Sequence, residues 1–156
     1  MTISTAGKGV SEYHLTAQTD INRPAAAVWA LVADYSKDAQ WRHGVSRMQP
    51  TPAGLVQVGT TTDESMRLGG SNYRNLGLIT AVQPGSYFEW RTTDGADANG
   101  SRTVTPLTED RCMLRMTVDV RVRGIQRTIA PLLAKLLQRN LNGDVRRLRE
   151  LAERAR

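Results

Sequence analysis

Arg74, Glu64 and His43 are the side chains whose types and spacing could do chemistry in this sequence. Arg74 shares strand parity with Leu76 and Leu78, which predicts that it points with them toward an apolar interior. A guanidinium there holds a carboxylate, carbonyl or enolate through its planar fork; at a strand end it instead carries its charge out to water. Glu64 shares parity with Thr60, Thr62 and Met66 and is expected to stand across a hairpin from Arg74, where the two would form an ion pair. His43 follows Trp41 and Arg42, and an imidazole titrates in the range needed by an acid or a base at neutral pH. The alternative for His43 is an ordinary loop residue.

Asn140 and Asp144 form a second polar pair. One helical turn apart, they interrupt an apolar arc that includes Leu133, Leu136, Leu137 and Leu148, so they either bond a ligand or satisfy nearby backbone and mark a bend at Gly143. Phe88 and Trp90 share a strand face and read as core or cavity wall; Trp29 reads as core. Two histidines and a single cysteine without metal-ligand spacing predict no metal. Gly69-Gly70 lacks the strand-glycine-helix context of a phosphate loop and no Gly-x-Ser-x-Gly elbow occurs, so neither a nucleotide nor any other cofactor is expected.

The elements that must position these groups are legible from periodicity. Ile21 to Asp34 joins an apolar strand to a short helix: Pro24 suits a helix start, Ala25 to Ala27 lose little entropy, and Val28, Leu31 and Val32 fall at helical spacing. A second helical turn is expected near 35–41. Turn clusters then separate strands expected near 45–50, 58–67, 73–83, 86–93, 101–107 and 111–123, which with 10–21 make seven. In the last strand Cys112, Leu114, Met116, Val118, Val120 and Val122 alternate with more polar residues, as in an antiparallel sheet covered on one side. The cover is a long helix beginning between 125 and 131, whose apolar arc runs from Ile129 to Ala152. The fold class is α+β, with an ordinary two-layer domain and a solid core as the plain alternative.

The chain has 156 residues, one domain's worth, with 40% apolar and 23% charged residues, and no run long enough for a membrane span. Residues 1–9 read as a loose tail without a secretory h-region, and the lone Cys112 fits a reducing compartment; the expected location is the cytoplasm. A net charge of +6 invites a nucleic-acid reading, but the arginines are scattered and no nucleic-acid motif accompanies them, so none is expected. Cations concentrate only in the terminal helix, where a solvated face is the simple explanation and contact with an acidic membrane surface the alternative.

Ile21, Pro24, Val28-Trp29, Asp34 and Trp41 together resemble the opening of the START-like, helix-grip superfamily (SRPBCC), in its polyketide cyclase/dehydrase-like branch. The order of strand, two short helices, six strands and long helix fits that resemblance from about 10 to 155. What it implies is a curved antiparallel sheet gripping the long helix over a cavity for a hydrophobic, lipid- or polyketide-like small molecule. It would be lined by Trp41, Met66, Arg74, Leu76, Leu78, Phe88, Trp90, Leu114, Met116, Val118, Leu133, Leu136, Leu137, Asn140 and Asp144. Two activities follow: binding or transport of that molecule, or cyclisation and dehydration of a poly-β-ketone assisted by Arg74, Glu64, His43 or Tyr35. A monomer or a homodimer suits either.

Overall fold

The computed structural model describes residues 1–4 and 9–155. The strands are β1 (Thr2–Ser4), β2 (Val10–Ile21), β3 (Val45–Thr51), β4 (Thr61–Leu68), β5 (Ser71–Gln83), β6 (Tyr87–Asp94), β7 (Asp97–Thr108) and β8 (Arg111–Arg123). They form one antiparallel sheet in the order β1-β2-β8-β7-β6-β5-β4-β3. The eighth strand is β1, where Thr2, Ile3 and Ser4 pair with His14, Tyr13 and Glu12. Those three residues therefore depart from the expected loose tail, and positions 5–8 lie outside the described residues.

β2 and β3 lie near opposite edges of the sheet, so the chain crosses the whole sheet between them. The crossing is made by α1 (Ala25–Val32) and a 3₁₀ helix, Tyr35–Gln40. Pro24 caps α1 in an extended conformation, and Asp34 caps the 3₁₀ helix by accepting hydrogen bonds from the Ser36 backbone N–H (3.1 Å) and hydroxyl (2.5 Å). After β8 a second 3₁₀ turn, Gly124–Thr128, leads into α2 (Ala130–Arg154), which packs mainly on β2 and also on β8. Register shifts at Val45/Arg47, Leu76/Gly77, Ile79/Ala81 and Pro106/Thr108 bend the sheet so that it can wrap the helices. β7 starts four residues earlier than expected, at Asp97. Thr92 Oγ1 accepts from Ala98 N–H and donates to Ala98 O, both at 3.0 Å, which extends the β6–β7 hairpin into the residues read as a turn.

Burial along β8 and α2 divides the interior in two. Cys112, Leu114 and Met116 are fully buried, whereas Val118, Val120 and Val122 on the same face are only partly so. Leu141, Val145, Leu148 and Ala152 of α2 are buried, whereas Leu133 and Leu137 are half-buried. One end is a packed core in which Phe88 meets Trp29 and Tyr35 edge-to-face, with ring centroids 6.0 and 5.7 Å apart. At the other end the sheet and the first half of α2 stand apart.

Candidate functional site: a cavity with an ion-paired floor

Between the sheet and the first half of α2 lies a cavity of about 600 Å³, within the range that holds small organic ligands. Its apolar wall is supplied by Met66 and Leu68 of β4, Trp90 of β6, Met116, Val118, Val120 and Val122 of β8, and Ile129, Leu133, Ala134 and Leu137 at the start of α2. Tyr35, Arg42, Glu64, Asn75, Asn140 and Asp144 give it polar groups.

Beneath these groups runs a chain of buried charges. Arg102 (2% exposed) donates from Nη1 to Asp38 Oδ1 (2.9 Å) and Val32 O (2.8 Å) and from Nη2 to Asp38 Oδ2 (2.6 Å). Its guanidinium carbon lies 4.6 Å from the ring centre of Tyr35, 4.9 Å from that of Trp41 and 5.6 Å from that of Phe88. This aromatic cage offsets part of the cost of a charge whose Nε is buried without a partner among the described residues. Asp38, fully buried, is shared with Arg42, whose Nη1 donates to Asp38 Oδ2 (3.1 Å) and Glu64 Oε2 (2.6 Å). Asn75 Nδ2 donates to Glu64 Oε1 (3.0 Å). The chain Arg102–Asp38–Arg42–Glu64–Asn75 thus alternates donor and acceptor from the core to the cavity.

Burial opposes charge on Glu64, but Arg42 and the Asn75 amide outweigh it and hold the carboxyl below its ordinary value, so it is an anion at neutral pH. Burial lowers the tendency of Arg42 and Arg102 to stay charged, yet Glu64 and Asp38 raise Arg42, and Asp38 raises Arg102, above the ordinary guanidinium value. The Tyr35 phenol is pushed far up, chiefly by burial, and stays neutral. Asp144 is pushed up by burial, although it accepts from His43 backbone N–H (2.8 Å) and from Arg147. Arg147 in turn donates from Nε to Trp41 O (2.8 Å), tying α2 to the loop after the 3₁₀ helix.

Several expected positions line this cavity: Glu64, Met66, Leu76, Trp90, Met116, Val118, Leu133, Leu137, Asn140 and Asp144, with Tyr35 and His43. Arg74 requires correction. Glu64 faces Asn75 in the β4–β5 register, so Tyr73, Asn75 and Gly77 share the inward face and Arg74 the outer one. Although Arg74 is among the lining residues, its side chain is 68% exposed and its guanidinium grips Asp63 from Nε (3.0 Å) and Nη2 (2.8 Å). Glu64 therefore pairs with Arg42 and not Arg74. Leu78, on the same face as Arg74, does not line the cavity, although Leu76 between them does. Phe88, Leu114 and Trp41 are buried in the solid core instead, and Leu136 turns its Cδ2 toward the β4–β5 turn, 3.7 Å from the position a Cβ would take at Gly69.

Asp38, Arg42, Asn75 and Arg102 were not among the expected site residues. Arg102 had a readable signal, because it shares parity with Val104 and Ala98 on β7. Asp38 and Arg42 are four apart beside Trp41, the spacing of a helical ion pair. Among the described residues no group of three or more His, Cys, Asp or Glu is placed to hold a metal ion.

The sequence model of the family described as polyketide cyclase/dehydrase and lipid transport matches residues 12–153. The chain belongs to this family. Its helix-grip architecture is shared with solved structures of low sequence identity. Zhui aromatase/cyclase from Streptomyces sp. R1128 is 17% identical, with a TM-score of 0.78 over 92% of this chain and 94% of that one. A protein of Thermus thermophilus is also 17% identical, with a TM-score of 0.77 over 92% and 99%. A START superfamily protein from Mycobacterium smegmatis is 14% identical, with a TM-score of 0.73 over 92% and 99%. No curated protein matches the chain. For this family member the likeness to solved structures concerns the fold, and the site must be read from its own residues.

Proposed function

We propose that this protein binds and carries a hydrophobic small molecule, lipid- or polyketide-like, in the cavity between the sheet and α2. The observation that carries this reading is the 600 Å³ space itself. It is walled by apolar side chains yet unfilled by them, while the other end of the same interior is packed solid. Native mass spectrometry of the purified protein against its denatured mass tests the reading. A reproducible apolar adduct, or saturable binding of Nile red where the protein arrives empty, is the expected result; neither adduct nor saturable dye binding would sink it.

Loading from a membrane surface belongs to the same reading. Ile129 (54% exposed) and Leu132 (72% exposed) stand out beside the cavity wall, in a stretch from Gly124 to Gly143 that has Arg127, Lys135 and Arg139 but no Asp or Glu. Such a surface suits acidic lipid. The protein should sediment with phosphatidylglycerol-containing vesicles, and salt should release it; equal sedimentation with neutral vesicles would remove the electrostatic part. No helix among the described residues is long and apolar enough to cross a bilayer.

The aromatase/cyclase relative makes a second reading worth testing: cyclisation and dehydration of a poly-β-ketone. Glu64, an anion, and Tyr35, a neutral phenol, line the same cavity and supply a proton acceptor and a hydrogen-bond donor. If this reading holds, Glu64→Gln abolishes turnover of a poly-β-ketone mimic and leaves Nile red affinity intact. Undiminished turnover removes Glu64 from the mechanism.

A further inference from the structure

The charges along the cavity are internally matched. At the floor, Arg42 and Arg102 face Asp38 and Glu64. On α2, Asp144 faces Arg147. Toward the β8 end, Arg121 pairs with Glu12 and Asp97, and Arg123 also reaches Asp97. Arg74 is matched by Asp63. Every Asp, Glu and Arg that lines the cavity therefore meets an opposite charge within 3.5 Å, and these ion pairs comprise six arginines and six carboxylates. Among the described residues no lining arginine is left over to neutralise an incoming anion.

Hydrogen-bonding capacity, by contrast, is left over. Among the described residues Arg42 makes its two ion pairs through Nη1 alone, so its other N–H groups remain for a ligand. Glu64 accepts one bond on each oxygen and retains lone pairs. The Asn140 amide lines the cavity with both a donor and an acceptor to offer.

Resting on the carrier reading above, we infer that the cavity selects neutral ligands: an apolar body whose one polar end carries hydroxyl or carbonyl groups, and not an ionised carboxylate. An anion entering the cavity is stripped of water without gaining a free cation, and it meets Glu64 and Asp144 beside their partners. A hydroxyl donates to Glu64 or Asn140 and a carbonyl accepts from Arg42, with no charge to desolvate. The matched pairs thus allow a polar floor that does not attract fatty-acid anions.

The test is displacement of Nile red, itself neutral, by two molecules with the same tail: monododecanoyl glycerol and dodecanoate, at alkaline pH where the latter is ionised. The glyceride should displace the dye at a concentration at least about tenfold lower, equivalent to about 1.4 kcal/mol. Dodecanoate displacing equally well or better overturns the inference while leaving the carrier reading in place. In protein freed of any adduct, absence of saturable Nile red binding overturns both. Glu64→Gln unbalances the floor by removing one negative charge and should narrow the ratio severalfold in favour of dodecanoate; an unchanged ratio in the folded variant counts against the matched pairs as its cause. The comparison on the unaltered protein decides the matter even where the variant does not fold.

Discussion

Asp38 is shared by two arginines in a place water does not reach, and this makes it the most consequential carboxylate of the molecule. Breaking a buried pair strands a charge, which costs about 3–5 kcal/mol. Arg102→Met should therefore lower the unfolding free energy by about 3 kcal/mol, the low end, because Arg42 still holds Asp38; urea denaturation measures it. Arg74→Ala is the counterpart. Its pair with Asp63 lies in solvent, so the urea midpoint and the Nile red affinity should stay at their original values. Glu64 carries a pH signature. Its carboxyl lies below the ordinary value of 4.5 in the folded protein, so its pairing stabilises the fold above that pH and the contribution is lost as pH falls through the lowered value. Urea midpoints measured from neutral to strongly acidic pH should fall less steeply below about pH 4.5 in Glu64→Gln. Asp144, raised by burial, acts with the opposite sign just above its ordinary 3.8, where it favours the fold less as pH rises; Asp144→Asn should steepen the rise of stability with pH there.

At the scale of elements, the sequence was readable where one face is buried and unreadable where both faces have reason to be polar. The alternation of β8 predicted its buried face, and the arc on α2 predicted its cover, because burial imposes one period on each. β5 has no such contrast: Arg74, Leu76 and Leu78 alternate with Tyr73, Asn75, Gly77 and Ile79, and both sets contain apolar residues. Only pairing with β4 settles the parity, by setting Glu64 against Asn75. The cavity wall was legible only in part: Met66, Trp90, Met116, Val118, Leu133 and Leu137 line it, whereas Phe88 and Leu114, equally inward by parity, fill the packed end, because parity separates inward from outward and not the open end from the filled one. The ion-paired floor was not legible, because it joins Asp38 and Arg42 to Arg102 across about sixty positions of sequence. Gly100 of β7 offers an element-scale test. It sits between Trp90 and Val118 in the sheet, and a Cβ there would come 2.2 Å from Thr117 O and 2.7 Å from Trp90 Cζ2. A central strand cannot retreat from the first contact without losing its ladder, so Gly100→Ala should destabilise by about 1–3 kcal/mol. It should also displace the Trp90 ring, seen as a shift in tryptophan emission together with weaker Nile red binding.

The whole molecule divides its labour between two ends of one interior, and that division can be tested by adding volume to each. Leu114 is wholly buried in the packed end, outside the cavity; Leu137 lines the cavity and is half-buried. In a core at native density an indole has no room, so Leu114→Trp should cost at least about 1–3 kcal/mol. At position 137 the additional rings enter open space and gain contacts with the opposite wall. Leu137→Trp should therefore keep its stability within about 1 kcal/mol of the original, while Nile red affinity falls at least about tenfold, or about 1.4 kcal/mol. Paired urea titrations and dye titrations on the two variants give both quantities. Equal destabilisation of the two would mean a continuous solid core, and the carrier reading would then lose its physical basis, since a molecule with no unfilled space between sheet and helix has nowhere to hold a guest.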